Sequence, residues 1–365
     1  MNPPVAPELE PAPELRVVVA AGGTAGHVIP ALAIAEQFRR ARSSVTFVGG
    51  DRAEAELVPT AGFDFEQLRI EGASRTNPLK ALRAIWRAAV ATGKSVRLIG
   101  RLRPDVVIGG GGYAALPVGV AAVLRRTPLV LTEADSHLGV TNRLLARFAK
   151  RVCLAFPIEG REGQKYVVTG RPIPAHAATR SEAREAFEVS ADRPCVVVFG
   201  GSLGARSINL ASPVALADTD CDVIHLTGRR DFESVKAPRP GYQVFELLSP
   251  ERFALVLAAA DLAIARAGGS VFELSAAGLP MVLVPYPYAS GDHQAQNAAV
   301  LEACGAAQVI KDQELGPEQL ARTVSSLLAN RSELAEMANA SRGFAKPNAA
   351  YDVAELAVKV ARGAS

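Results

Sequence analysis

Two Rossmann-like parallel-sheet α/β domains facing each other across a cleft are predicted by three features of this chain. Residues 17–27 read Val-Val-Val-Ala-Ala-Gly-Gly-Thr-Ala-Gly-His, and residues 196–206 read Val-Val-Val-Phe-Gly-Gly-Ser-Leu-Gly-Ala-Arg. An apolar, β-branched run thus twice enters a paired-glycine turn with a hydroxyl residue after it. Each copy has the pattern of a buried parallel strand opening into a phosphate-cradling loop and a helix. The pairs Gly22-Gly23 and Gly200-Gly201 lie about one domain length apart. Strand-length apolar runs alternate with helical stretches around both, as parallel β/α units require.

Residues 1–14, with five prolines and three glutamates, bury too little apolar surface to fold and are expected to form a disordered tail. The N-terminal domain spans 15–169, with strands expected at Arg16–Ala21, Val45–Val48, Val106–Ile108, Leu129–Leu131 and Tyr166–Thr169. The segment Gly170-Arg171-Pro172-Ile173-Pro174 cannot continue a helix and marks a hinge. The C-terminal domain spans 170–349, with strands expected at Cys195–Phe199, Val223–Leu226, Gln243–Leu247, Leu262–Ala265 and Met281–Val284. Residues 350–365 have helical spacing and are expected to pack back on the first domain.

A chain of 365 residues, 49% of them hydrophobic, can bury two sizeable cores. Its cysteines, Cys153, Cys195, Cys221 and Cys304, form no close pairs, which argues against a zinc ribbon, a redox pair or a secreted disulfide scaffold and fits a reducing cytoplasm. No basic-then-apolar leader is present, and the longest apolar stretches, such as Leu116 to Leu124, fall short of the ~18 residues that span a bilayer.

In a loop such as Gly22–Gly26, backbone N–H groups converge on an anion and the following helix adds its positive end, which suits a diphosphate. A third cluster, Gly109–Gly112 followed by Tyr113, points to the same C-terminal sheet edge, where ligands of open α/β sheets bind. This layout is that of a nucleotide-sugar glycosyltransferase. Other readings fit less well. The dinucleotide fingerprint is absent from the first loop, although Asp51 ends the second strand, and Thr92-Gly93-Lys94-Ser95 lacks the earlier glycine of a P-loop. Asp218, Asp220 and Asp222 read as a polar turn before a strand. None of His27, His137, His176, His225 and His293 has a partner at zinc-ligand spacing, so no metal site is expected.

The chain resembles the MurG-type N-acetylglucosaminyltransferase family of bacterial cell-wall synthesis. Six segments carry the resemblance, in family order: Gly22 to His27; Gly111-Gly112-Tyr113; Thr132-Glu133-Ala134-Asp135 with Thr141-Asn142; Gly200 to Arg206 with Asn209; Arg266-Ala267-Gly268 leading to Glu273; and Pro285 to Tyr288 leading to Asp292-His293-Gln294 and Asn297. The resemblance implies a GT-B fold and no cofactor. It further implies transfer of N-acetylglucosamine, with inversion, from UDP-N-acetylglucosamine to lipid I, giving the β-1,4 link of lipid II. As donor contacts it implies Thr24, Ala25, Gly26, Asp135, Arg171, Ser202, Leu248, Arg266, Gly269, Ser270, Glu273, Gln294 and Asn297. As acceptor contacts it implies Gly23, Gly111, Gly112, Tyr113, Asn142 and Asn209. Glu273 suits both ribose hydroxyls, Arg266 would supply positive charge, and backbone near Leu247 and Leu248 would read uracil.

Inversion needs a base at the acceptor hydroxyl and stabilisation of the leaving diphosphate. His27, kept neutral by the helix end, is the first candidate base, with Glu133 or Asp135 as the competing assignment. Departures from the family pattern fall at the hinge, where Gly-Asn-Pro-Val-Arg is usual. They also fall at Leu203 in place of glutamine, at Asp135 in place of asparagine, and between Arg266 and Glu273, which is one residue short.

Eight basic residues and no acidic ones lie between Gly72 and Pro104: Arg75, Lys80, Arg83, Arg87, Lys94, Arg97, Arg101 and Arg103. With Leu79, Leu82, Ile85, Trp86 and Ala89 at helical spacing, the 75–103 segment is expected to lie on an anionic inner-leaflet surface. The enzyme would then be peripheral, on the cytoplasmic face of the cell membrane. No nucleic-acid recognition motif is present. Cell-wall synthesis and division proteins are the partner class implied. Competing readings are a sugar transferase with a diacylglycerol or natural-product acceptor, a nucleotide-sugar 2-epimerase, and a silent nucleotide-sugar sensor.

Overall fold

A computed structural model describes residue 9 and residues 14–68, 78–174, 179–289 and 292–363, with side chains omitted at 25 and 78–88. Most of the expected tail, the start of the basic segment and the side chains of Lys80, Arg83, Trp86 and Arg87 therefore lie outside the described residues. The chain falls into two compact units, one formed by Met1–Ala175 with Lys346–Ser365 and the other by His176–Ala345.

The first unit is built on a seven-stranded parallel sheet. Its strands are β1 (Arg16–Ala20), β2 (Ser44–Gly49), β3 (Asp64–Gln67), β4 (Val106–Gly109), β5 (Leu129–Glu133), β6 (Arg151–Leu154) and β7 (Tyr166–Val168), in the order β3-β2-β1-β4-β5-β6-β7. The helices between them are α1 (Ala25–Arg40), α2 (Ala53–Thr60), α3 (Pro78–Leu102), α4 (Gly112–Leu124) and α5 (Val140–Leu145). Strands β1, β4 and β5 are buried along almost their whole length because helices cover both faces, which is why they read as unbroken apolar runs. On one face, Ile34 and Phe38 of α1 pack with Val19, Phe47 and Ile108; on the other, Val118 and Ala122 of α4 pack with Val18, Val107 and Leu131. Each fully buried Leu, Ile or Phe contributes on the order of 1.5–3 kcal/mol.

The second unit carries a six-stranded parallel sheet in the order β10-β9-β8-β11-β12-β13. Its strands are β8 (Cys195–Phe199), β9 (Asp222–Leu226), β10 (Tyr242–Phe245), β11 (Leu262–Ala265), β12 (Met281–Leu283) and β13 (Ala307–Val309). Its helices are α6 (Arg180–Ala186), α7 (Arg206–Ala215), α8 (Pro250–Ala259), α9 (Val271–Ala276), α10 (His293–Ala303), α11 (Pro317–Ala329) and α12 (Arg331–Phe344). Helix starts carry recognisable caps: Thr179 and Glu182 form a capping box on α6, and Ser249 caps α8 with Pro250 at its first position.

The last helix, α13 (Ala349–Ala361), belongs to the first unit, where Val353, Ala354, Ala357 and Val358 complete the core shared with α1. The segment before it is pinned at Gly170, whose positive φ turns the chain past the Lys346 side chain.

In both sheets the strand order reverses at the centre, between β1 and β4 and between β8 and β11. Loops diverging from such a switch point leave a crevice at the carboxyl ends of the strands, and both glycine loops lie there.

Candidate active site

In the first unit, registers Ala20↔Gly109 and Leu131↔Gly109 bring the ends of β1, β4 and β5 side by side, so three loops converge. The β1–α1 loop carries Gly22 to Thr24, the β4–α4 turn carries Gly110 and Gly111, and the β5–α5 loop carries Ala134 to Gly139. The first two loops meet backbone to backbone. Gly112 has φ +75°, and a Cβ there would lie 2.0 Å from the Gly22 carbonyl oxygen, so no larger residue fits.

His27 is the third residue of α1, and its Nδ1 lies 3.3 Å from Thr24 Oγ1. Gly111 packs against its ring edge, 3.0 Å from Cδ2 for a notional Cβ. His27, Thr132, Glu133, Gly110, Gly170 and Arg171 line one pocket. Arg171 reaches the loop itself, donating from Nη2 to the Gly26 carbonyl at 2.5 Å. Burial lowers the His27 pKa below its ordinary 6.5, the Arg171 charge lowers it further, and Asp135 and Glu54 oppose them. Burial and the Arg171 charge thus join the helix end as reasons for a neutral imidazole.

Glu133, expected near the chemistry, is the organiser of its own loop. Its Oε1 accepts from the N–H groups of Ala134 at 3.0 Å and Asp135 at 3.3 Å, and its Oε2 from the Gly139 N–H at 2.8 Å and Asn142 Nδ2 at 2.9 Å. Burial raises its carboxyl pKa against the pull of these donors. Asn142 is buried and holds the Thr132 carbonyl as well, so its amide nitrogen is committed inside the loop. Asp135 is half-buried beside it.

In the second unit, register Ala265↔Phe199 sets the β8–α7 loop beside the β11–α9 loop. Gly204 has φ +83° and passes so close to the Thr227 carbonyl that a Cβ would lie 2.1 Å from it. Ser202 stands exposed at the tip, while Gly269, Ser270 and Glu273 are half-buried at the start of α9. Leu248 is half-buried between β10 and α8, on the same strand-end side. Gln294 Oε1 accepts from the Tyr286 N–H at 3.0 Å, and Asn297 donates to the Ala267 carbonyl at 3.0 Å from a buried position.

Like Asn297, two further expected contacts, Arg266 and Asn209, face inward. Arg266 does not offer a free charge: it is 9% exposed, pairs with Asp312 Oδ1 at 2.5 Å and donates to Ser207 Oγ and the Val284 and Pro285 carbonyls. This arrangement ties the ends of β11 and β12 to the first turn of α7. Asn209, expected to meet the acceptor, is 1% exposed in the second unit. It donates to the Thr227 carbonyl at 2.8 Å and Asp231 Oδ2 at 3.0 Å, and its Oδ1 meets His225 Nε2 at 3.0 Å. Asp222 of the acidic turn binds the Ser190 N–H and lies 3.4 Å from Arg193, and among the described residues no cluster of His, Cys, Asp and Glu could hold a metal ion.

His225 is itself fully buried, with Nδ1 2.8 Å from the Tyr242 hydroxyl, and burial pushes its pKa from the ordinary 6.5 down to about 4. The folded chain therefore refuses a proton that the unfolded chain accepts. Above 6.5 the residue adds no pH dependence; between 6.5 and about 4 stability falls as pH falls, by roughly 3 kcal/mol in all, and then levels. Denaturant unfolding across that window checks this. A His225→Asn variant should lose that part of the slope, and an unchanged slope would contradict the assignment.

The residue that sequence reasoning missed is Glu54. Fully buried on α2, it accepts from Gly23 N–H, Gly50 N–H and the Tyr113 hydroxyl, whereas Glu56 on the same helix is exposed. Nothing in the local spacing separates the two glutamates.

Residues 17–154 match the glycosyltransferase family 28 N-terminal domain, and residues 195–356 match the glycosyltransferase family 28 C-terminal domain. The chain belongs to glycosyltransferase family 28. Within that family it is 38% identical, over 94% of its own length and 99% of the relative's, to the UDP-N-acetylglucosamine–N-acetylmuramyl-(pentapeptide) pyrophosphoryl-undecaprenol N-acetylglucosamine transferase of Moorella thermoacetica. The crystal structure of Acinetobacter baumannii MurG superposes with a TM-score of 0.76 at 33% identity, covering 95% of this chain and 100% of that one. A putative UDP-N-acetylglucosamine 2-epimerase from Listeria monocytogenes shares the fold at a TM-score of 0.66 and 14% identity, covering 93% of this chain and 94% of that one. Fold alone therefore does not separate transfer from epimerisation; family 28 membership does, and this chain is a glycosyltransferase.

Proposed function

We propose that this family 28 enzyme transfers N-acetylglucosamine from UDP-N-acetylglucosamine to lipid I with inversion, giving lipid II of peptidoglycan synthesis. The observation that carries the reading is His27, which lines a pocket at the first glycine loop with its pKa lowered by burial and Arg171, in a chain 38% identical over 94% of its length to a transferase of that name.

The first unit is the acceptor unit. His27 takes the proton of the acceptor hydroxyl, and Gly23, Gly111, Gly112 and Tyr113 shape the surface that receives the muramyl diphosphate. Glu133 and Asn142 act by holding the 133–142 loop in place, since the Glu133 carboxylate and the Asn142 amide nitrogen are spent within it. Thr24, Ala25, Gly26, Asp135 and Arg171 remain the donor contacts proposed for this unit.

The second unit is the donor unit. Glu273 accepts the ribose hydroxyls, and Ser202, Gly269 and Ser270 meet the diphosphate. The backbone at Leu248 reads uracil, and Gln294 reads sugar hydroxyls. Arg266, Asn297 and Asn209 hold the loops that do so. Backbone amides and helix ends stabilise the leaving diphosphate.

No helix among the described residues is long and apolar enough to cross a membrane. We place the enzyme peripherally on the cytoplasmic face, where the basic 75–103 segment meets anionic lipid. Exposed Leu124, Leu144 and Phe148 in the same unit, with Arg147 lying 4.6 Å over the Phe148 ring, support a membrane-facing side. Arg101 is engaged with Glu66 at 2.5 Å. Cell-wall synthesis and division proteins are the proposed partners.

Product analysis tests the transfer. Purified protein given UDP-N-acetylglucosamine and a short-chain lipid I analogue should yield a β-1,4-linked disaccharide lipid, whereas formation of the 2-epimer of the sugar nucleotide would refute the reading.

A further inference from the structure

The glycine loops of the first unit are packed around an acid. Gly23 N–H and Gly50 N–H each donate to the Glu54 carboxylate at 2.8 Å, and the Tyr113 hydroxyl donates at 2.9 Å, so one side chain ties together the β1–α1 loop, the end of β2 and the first turn of α4. Its surroundings leave no room for alternatives. A Cβ on Gly22 would lie 2.8 Å from Glu54 Oε1, one on Gly49 would lie 2.6 Å from Glu54 Cγ, and one on Gly50 would lie 2.0 Å from Tyr113 Oη. Charge-assisted bonds of this kind are about twice as strong as neutral ones, and a buried carboxylate holds its donors firmly because losing one is costly.

We propose that Glu54 is the positioning residue of the acceptor site: by taking up the Gly23 amide and the Tyr113 hydroxyl, its buried carboxylate fixes the first glycine loop and the Tyr113 ring in the geometry that receives the acceptor. The inference rests on the proposed reading of the first unit as the acceptor unit. It changes what two of the site residues do. The Gly23 N–H points to a protein carboxylate rather than to a ligand phosphate, and the Tyr113 hydroxyl donates inward. Tyr113 therefore serves the site through its ring, over which the Arg52 guanidinium lies at 5.0 Å. The burial of its hydroxyl and the hydrogen bond to Glu54 push the Tyr113 pKa up to about 12, consistent with a phenol that stays protonated.

Glu54→Gln, which keeps size but replaces an acceptor oxygen with a donor, tests the lock with two readouts. Amide hydrogen exchange in peptides covering residues 22–26 should quicken by about tenfold. The KM for a short-chain lipid I analogue should rise by about tenfold while the KM for UDP-N-acetylglucosamine holds. Tyr113→Phe, which removes one bond of the set, should give a smaller change in the same direction, and the double variant should change less than the product of the singles. Wild-type exchange in the 22–26 peptides of Glu54→Gln would overturn the lock whatever the activity. An equal rise in both KM values with a lowered Tm would reduce Glu54 to a general stabiliser and overturn its role at the acceptor site. Absence of acceptor-dependent transfer by the wild-type protein would refute the proposed function instead, and the exchange result would still decide the lock.

Discussion

His27→Ala lowers kcat by about a hundredfold or more and leaves UDP-N-acetylglucosamine binding unchanged. On the proposed mechanism the loss is large because a positioned base is removed from a single-displacement reaction with no second step to share the barrier. The donor is spared because the nucleotide contacts we propose lie in the second unit. The pH profile carries a further mark. With its pKa held below 6.5 by burial and by Arg171, His27 is neutral and able to accept a proton at neutral pH, so kcat/KM falls only as pH drops through that lowered value. Arg171→Ala removes one of the lowering influences and moves the acid limb toward higher pH. Steady-state kinetics across pH check both statements; full turnover in His27→Ala would return the base to Asp135 or Glu133.

Glu273→Ala weakens UDP-N-acetylglucosamine binding by roughly ten- to a hundredfold, the worth of one or two hydrogen bonds to a charged acceptor. Glu273 is in the first turn of α9, half-buried beside the β11–α9 loop. There a carboxylate can accept from two neighbouring ribose hydroxyls. Calorimetric titration with UDP separates this from a chemical role: affinity falls, while kcat at saturating donor falls much less. Wild-type affinity in the variant would remove Glu273 from the donor site.

The sheets were legible because a parallel strand buried on both faces must be apolar throughout, as in Val17 to Ala20 and Cys195 to Phe199. Three strands at or near the edges escaped that logic. β3 reads Asp-Phe-Glu-Gln with both ends exposed, β6 opens on Arg151, and β13 is three residues long. β10 ends at Phe245 rather than Leu247, because the chain leaves the ladder there to reach α8.

At the site, the glycine loops and His27 were readable because their chemistry is local: close backbone approach and a helix start leave a mark in neighbouring residues. Direction was not readable. Arg266, Asn209 and Asn297 are the right residue types for ligand contact, yet their side chains turn inward to Asp312, Thr227 and Ala267, partners distant in sequence. Glu54 shows the converse, an acid made buried by donors from residues 23, 50 and 113 that no periodicity connects.

The most direct measurement is UDP release from UDP-N-acetylglucosamine by the purified wild-type chain, with and without a short-chain lipid I analogue. Release is expected only when the analogue is present. Equal release without it would mean hydrolysis or epimerase-type chemistry and would contradict transfer to lipid I.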